Sequence, residues 1–369
     1  MDIGNKKIAI IHDSLTQFGG AERVLFYLIK MFPRADVYTS LASKKLKTQV
    51  ENKITGKFCC SKLSNVKLAI KYPSLFKPYF FHYYWESLNL DKYDLVISSS
   101  HSFCAHWINT KQKHISYIHT TPRFLHDEVN QMLCLKRPFF RIITQPYFNY
   151  LRKKNLAKLK KIDYLLTNSF NVKNRIKKYY GLDAEVIYPP VDNNYAPPIK
   201  KNIQKSNNYL FYSRLVEQKG IDLVIKTFNQ NKKPLLVVGT GPKEKKWQSM
   251  ANKNIKFLGF VPDSKMAEIF QQIQALIYAS IDEDFGMVPV EAMSHGLPVI
   301  AYKSGGSKET IINKKTGLFF TKYTEKDLNL AIENFEKMLF DKQDCVRQAL
   351  KFDKSIFDKK IKKIVKNEY

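Results

Sequence analysis

Short apolar runs and helical patterns alternate along the chain from Lys7 to Phe320. That alternation restricts it to an α/β fold with mostly parallel sheets. The first series of strand candidates covers residues 7–11, 35–38, 95–98, 115–118, 164–167 and 184–188. The break Pro189-Pro-Val-Asp192 and the polar, proline-containing stretch up to Ser206 read as a linker. A second series follows at residues 209–213, 234–238, 255–258, 275–278, 298–301 and 317–320. Two Rossmann-like domains facing across a cleft fit this order, over residues 1–195 and 196–350. Residues 351–369 read as a terminal helix with Phe352, Ile356, Phe357, Ile361, Ile364 and Val365 on roughly one face. Sheets of this kind bind ligands beyond the carboxyl ends of their strands.

One such end is unusually informative. After the strand candidate 275–278 comes Glu283-Asp-Phe-Gly-Met-Val-Pro-Val-Glu291, continued by Ala292-Met-Ser-His-Gly-Leu-Pro-Val-Ile300. Pro289 suits the first turn of a helix, where a missing N–H costs nothing, and Gly296 suits the position just past its end. Phe285, Gly286 and Met287 then form a tight loop whose N–H groups, with the helix start at Val288, make an anion site. Glu283 and Glu291 flank it and can accept hydrogen bonds from hydroxyls. A plainer role for Glu291 also fits, since a Glu near the third helical position caps its own helix.

Further polar groups fall at other strand ends. Arg214 and Lys219, in Tyr212-Ser-Arg-Leu-Val-Glu-Gln-Lys-Gly220, offer a fork of donors and a movable charge to a diphosphate. Gly239, in Gly239-Thr-Gly-Pro242, leads another loop, although two glycines also make an ordinary turn. Gly19 and Gly20 precede the helical pattern 23–31 and let an anion approach the backbone. His119 follows the strand at 115–118, as a site residue or a structural histidine. His101 and His106 read as core or cleft residues. Thr167-Asn-Ser169 reads either as part of the site or as a helix cap.

Taken together these segments resemble the retaining glycosyltransferases of family 4, whose signature is E-x-F-G-x-x-x-x-E-A-M-x-x-G-x-P-V-I. Every fixed position of that string is present from Glu283 to Ile300. The Arg214-Leu-x-x-x-Lys219-Gly segment, the Gly239-x-Gly-Pro segment and Gly19-Gly-Ala-Glu22 match further family motifs. The family's H-T-P-x-R differs by one residue, because two threonines separate His119 from Pro122. The resemblance implies the GT-B architecture and hexosyl transfer from a nucleotide-sugar with retention of configuration. It gives Glu283 and His119 to the transferred sugar, Arg214 and Lys219 to the departing diphosphate, and Glu291 to the ribose. The region Phe285 to Val288 would hold sugar hydroxyls and phosphate. The first half looks most like bacterial mannosyltransferases of O-antigen or capsule synthesis. That points to GDP-mannose as donor and a lipid-linked saccharide as acceptor. A UDP-hexose donor is the alternative, and a GT-B nucleotide-sugar epimerase is the nearest rival enzyme.

Composition then bounds the partners. The only Asp-x-Asp, Asp282-Glu-Asp284, lies inside the Glu motif, so no cofactor and no divalent metal are expected. The net charge of +28 attracts anions, but the basic residues are scattered and form no nucleic-acid module, so no nucleic-acid partner is expected. No signal peptide or membrane span is read, and the five cysteines show no metal spacing, which suits a reducing cytoplasm. The aromatic segment Tyr72 to Trp85 and the basic cluster Arg152, Lys153, Lys154, Lys158, Lys160 and Lys161, preceded by Phe139, Phe140, Tyr147, Phe148 and Tyr150, suit an anionic membrane surface at the inner face of the cell membrane. A packed aromatic helix with a solvated lysine face is the alternative.

Overall fold

The computed structural model describes residues 6–126, 138–192 and 206–367. The linker stretch 193–205, Cys134 and the N-terminal residues 1–5 lie outside the described residues, as do the side chains of Phe139 and Phe140. Two compact units result. One comprises Met1–Tyr188 with Asp358–Tyr369, the other Pro189–Phe357.

The first unit is built on seven parallel strands, β1 (Ile8–His12), β2 (Asp36–Thr39), β3 (Phe58–Cys60), β4 (Leu95–Ser100), β5 (Lys113–Ile118), β6 (Tyr164–Thr167) and β7 (Glu185–Val186). Their order is β3-β2-β1-β4-β5-β6-β7. The second unit has β8 (Tyr209–Tyr212), β9 (Leu235–Val238), β10 (Ile255–Gly259), β11 (Ala275–Tyr278), β12 (Val299–Tyr302) and β13 (Gly317–Phe320), in the order β10-β9-β8-β11-β12-β13. Both orders are the doubly wound pattern, which reverses between β1 and β4 and between β8 and β11.

Central strands such as β1, β4 and β11 are buried along their whole length. A parallel strand covered by helices on both faces is mostly apolar, so these strands stand out in the sequence, although β1 ends in His12 and β4 in three buried serines. The edge strand β10 instead alternates exposed residues with buried or half-buried ones. The strand missed by the sequence reading is β3: three half-buried residues, too short to show a period. Cys59 and Cys60 lie in it as free thiols.

The terminal helix runs Lys354–Asn367. Phe357, Ile361, Ile364 and Val365 are buried at helical spacing, as is Phe352 before the helix. Ile356 departs from the expected stripe and is exposed, because it sits one position off the i, i+4, i+7, i+8 row set by Phe357. The aromatic segment 72–85 divides in two. Phe80, Phe81, Tyr84 and Trp85 join the core, while Tyr72, Tyr79 and Tyr83 face solvent.

Candidate active site

In the second unit the loop after β11 carries Glu283 to Gly286 into the helix Met287–Ser294. Gly286 caps that helix with φ 87°, a conformation that penalises any Cβ. A Cβ there would also meet the Tyr278 hydroxyl at 2.9 Å. Two expectations need correction here. Met287 is not in the loop but is the first helical residue, and Glu291 stands fifth in the helix, two residues beyond the capping position. At the far end the N–H of Gly296 (φ 73°) donates to Met293 and that of Leu297 to Ala292, at 2.9 and 3.1 Å, the pattern that closes a helix on glycine.

The Glu283 backbone is fixed from beneath by Gly305 and Gly306. The Gly306 N–H donates to the Glu283 carbonyl at 2.8 Å. A Cβ on either glycine would collide with the backbone of Glu283 or Phe285. Phe285 is buried, with its ring 5.4 Å from that of Phe352. The Glu283 carboxylate pairs with Lys219 Nζ, and both side chains remain about a quarter exposed, 26% and 25%, so a ligand can reach them. Burial, and then the Glu283 charge, push the Tyr278 phenol well above its ordinary pKa. It stays a neutral group beneath the loop.

Lys219 ends the short 3-10 turn Glu217–Lys219. Arg214 lies on the same loop after β8 and is exposed. Gly239 and Gly241 pack this loop: Cβ atoms on them would run into the carbonyls of Ser213 and Leu215, and the Leu215 N–H donates to Thr240 at 2.9 Å. The two glycines therefore let one strand-end loop lie on another. Lys219, Glu283, Phe285, Gly286, Met287, Val288, Glu291, Arg214 and Gly239 all fall at the carboxyl ends of β8, β9 and β11, around that sheet's switch point.

Gly19, Gly20 and His119 belong to the first unit. The helix there is Gly20–Met31, beginning earlier than its apolar pattern indicated, so Gly19 is the cap and Gly20 the first helical residue. His119 is buried and its Nε2 meets Ser99 Oγ at 2.8 Å. Asn168 Nδ2 donates to the His119 carbonyl at 2.8 Å. Ser169 caps the helix Phe170–Tyr180 by accepting from the Val172 N–H. The motif Thr167-Asn-Ser169 thus both caps a helix and anchors the His119 loop.

Sequence reasoning overlooked His12, Asp13 and Glu22, which join His101 and His119 at the ends of β1, β4 and β5. Asp13 is fully buried and accepts from the N–H groups of His101, Phe103 and Ala105 at 2.8, 2.6 and 2.6 Å. Burial alone would raise its pKa, but His101 and those donors hold it below the ordinary value. Glu22 is likewise held low against its burial, chiefly by His12. The signal was available in His12-Asp13 at the end of an apolar run, beside the switch point.

Burial also depresses the imidazoles of His106, to about 4, of His114, to about 3, and of His119, well below its usual value. His106 bonds Ser100 Oγ and Asn155 as a core residue. The unfolded chain protonates these rings near 6.5 and the folded chain does not. Their contribution is therefore complete above that pH and is lost as the pH falls from about 6.5 toward about 4. Each ring adds up to about 1.4 kcal/mol per pH unit in that window. Thermal melts from pH 7.5 to 5, followed by tryptophan fluorescence, are expected to show falling stability, and H114Q to fall less steeply than the parent. Equal slopes would contradict the assignment.

The family model described as Glycosyltransferase Family 4 matches residues 18–195, and that described as Glycosyl transferases group 1 matches residues 196–352. The chain belongs to the family-4 glycosyltransferases and has the GT-B fold of two Rossmann-like domains. It is 30% identical to O-antigen chain mannosyltransferase RfbU of Salmonella typhimurium over 55% of this chain and 59% of that protein, so under two thirds of that relative is matched. It is 25% identical to alpha-1,3/1,6-mannosyltransferase ALG2 of Kluyveromyces lactis over 84% of this chain and 72% of that one. Among solved structures, Anabaena HepE in complex with UDP and glucose aligns with a TM-score of 0.70 at 20% identity, over 98% of this chain and 100% of that chain. The lipopolysaccharide outer core galactosyltransferase WaaB aligns at 0.67 and 18%, with the same coverage. At such identities these two likenesses concern fold.

Proposed function

We propose that the chain is a retaining hexosyltransferase that moves mannose from GDP-mannose to a lipid-linked saccharide during surface-polysaccharide synthesis. The observation that carries this reading is the Lys219–Glu283 pair beside a glycine-capped helix start, in a chain related to two mannosyltransferases. Breaking a glycosyl–phosphate bond leaves negative charge on the diphosphate and positive charge on the sugar carbon. Lys219, with three donors, can keep Glu283 while binding a phosphate oxygen. Arg214 adds a second cation, and the first-turn N–H groups add fixed positive potential. These groups neutralise the leaving diphosphate without a divalent ion. Glu283 holds the transferred sugar, Glu291 the ribose, and His119, neutral by burial, hydrogen-bonds a sugar hydroxyl. The leaving phosphate takes the acceptor's proton on the face from which it departs, so configuration is retained.

A UDP-hexose donor is the second reading, supported by the UDP and glucose in the HepE complex. Thermal shift against GDP-, UDP- and ADP-sugars separates the two. GDP-mannose at about 100 times its Kd is expected to stabilise the protein by about 2.7 kcal/mol. Stabilisation by a UDP-sugar alone would replace the donor, and by none would contradict the reading.

For the acceptor side we propose that the first unit docks on anionic membrane. Leu75, Tyr79, Tyr83, Ile143, Tyr147 and Tyr150 are exposed large side chains. Two of them, Tyr147 and Tyr150, meet at His82, which bonds the Tyr147 hydroxyl at 3.1 Å and stacks on Tyr150. Not all of the basic cluster is available. Lys154 and Lys158 turn inward onto Glu86 at 3.1 and 2.9 Å, and Arg152 donates to the Leu125 carbonyl. Lys153, Lys160 and Lys161 are exposed. Among the described residues no helix is long and apolar enough to cross a membrane. Co-sedimentation is expected with phosphatidylglycerol-containing vesicles and not with phosphatidylcholine alone. Equal partition would end this proposal.

A further inference from the structure

The carboxyl ends of β1 and β4 hold three side chains that the transfer chemistry leaves unused. His12 is the last residue of β1, His101 follows β4, and Glu22 lies in the first turn of the helix Gly20–Met31. One ligating atom from each falls within 4.8 Å of the other two. We propose that His12, Glu22 and His101 bind a zinc-type divalent cation.

Two observations beyond proximity point to a ligand. His12 is fully buried, yet its Nε2 has no hydrogen-bond partner, and neither has the Nε2 of His101. Leaving such atoms unsatisfied away from water is costly. A protonated His12 paired with Glu22 does not resolve this. Their separation of 3.7 Å exceeds a hydrogen bond, and His101 Nε2 would still be orphaned.

The outer contacts also have the form found around metal-binding histidines. His12 Nδ1 lies 3.0 Å from Ser99 Oγ. His101 Nδ1 lies 3.3 Å from the Asp13 carboxylate and 3.1 Å from Ser102 Oγ. Partners on Nδ1 place the proton there and leave the Nε2 lone pair available to a cation. Two imidazoles and a carboxylate are a donor set that holds zinc with a fourth position open. Asp13, through its three backbone N–H bonds, holds the loop of His101 rigid. Gly19 leaves the Glu22 carboxylate room, since a Cβ there would approach Oε2 to 3.2 Å. With bonds of about 2.0–2.2 Å, binding requires the three atoms to draw in by roughly 1 Å. Glu22, with its three side-chain torsions, supplies most of that movement. Ser99 Oγ also touches His119 Nε2, so an occupied site fixes the hydroxyl that orients His119.

All three ligands belong to the first unit, and the test of this site does not depend on sugar transfer. Protein passed over a chelator is titrated with zinc chloride in a calorimeter. One equivalent is expected, with affinity lowered at least about 10-fold in both E22Q and H101Q. It should be unchanged in the C59S/C60S double variant, which removes the rival thiols of β3. Cobalt(II) on the unaltered protein should give a spectrum of nitrogen and oxygen ligation without a thiolate charge-transfer band, which decides the matter even if a variant fails to fold. No stoichiometric binding, binding indifferent to E22Q and H101Q, or thiolate ligation would overturn the proposal.

Discussion

Replacing Glu283 by glutamine is expected to lower sugar transfer by at least about 100-fold while leaving the fold intact, the cost typical of losing one preorganised polar group at a transition state. The carboxylate faces Lys219 and is partly open to solvent, so its removal disturbs little packing. A partly exposed ion pair contributes at most about 1 kcal/mol to stability. The measurement is initial rate with saturating donor, beside a urea melt of the same sample. A fall in rate with an unchanged midpoint is the expected combination. Near-normal turnover would remove Glu283 from the chemistry.

The second large effect is on stability. Gly239 has φ 126°, and a Cβ on it would enter the space of the Ser213 carbonyl. G239A thus combines backbone strain of about 1–3 kcal/mol with a clash against a main chain that cannot rotate away. A total of about 3–5 kcal/mol is expected. Gly259 provides the contrast within the same unit. Its φ is 66°, but nothing lies within 4 Å of an added Cβ, so G259A is expected to cost only about 1–2 kcal/mol. Urea midpoints of the two variants check this, and equal losses would show that strain alone, without the loop contact, sets the cost. Because Gly239 supports the loop bearing Arg214, G239A is also expected to weaken nucleotide binding.

The central strands were legible because burial on two faces demands runs of apolar residues, as in residues 8–11 and Ala275–Tyr278. The Glu283 loop was legible because its glycines and helix start sit at fixed spacing. Helix starts were harder. Gly20, Ala21 and Met287 are helical without continuing the apolar stripe, so the first turn was read as loop. Gly305 and Gly306 went unremarked although they fix the Glu283 backbone, because close approach between loops distant in sequence leaves no periodic trace. The same holds for the cluster of His12, Glu22 and His101, assembled by β1–β4 pairing from segments far apart in the chain. Lysines 154 and 158 looked like surface charge, and only the fold supplies Glu86 to turn them inward.

The most direct measurement is calorimetric titration of chelator-treated protein with GDP and with UDP, comparing the parent with K219A and R214A. One of the two nucleotides is expected to bind at a single site without added metal, and both variants to lose most of that affinity. Binding that appears only with magnesium or manganese, or that survives both substitutions, would contradict a donor diphosphate held by Lys219, Arg214 and a helix start.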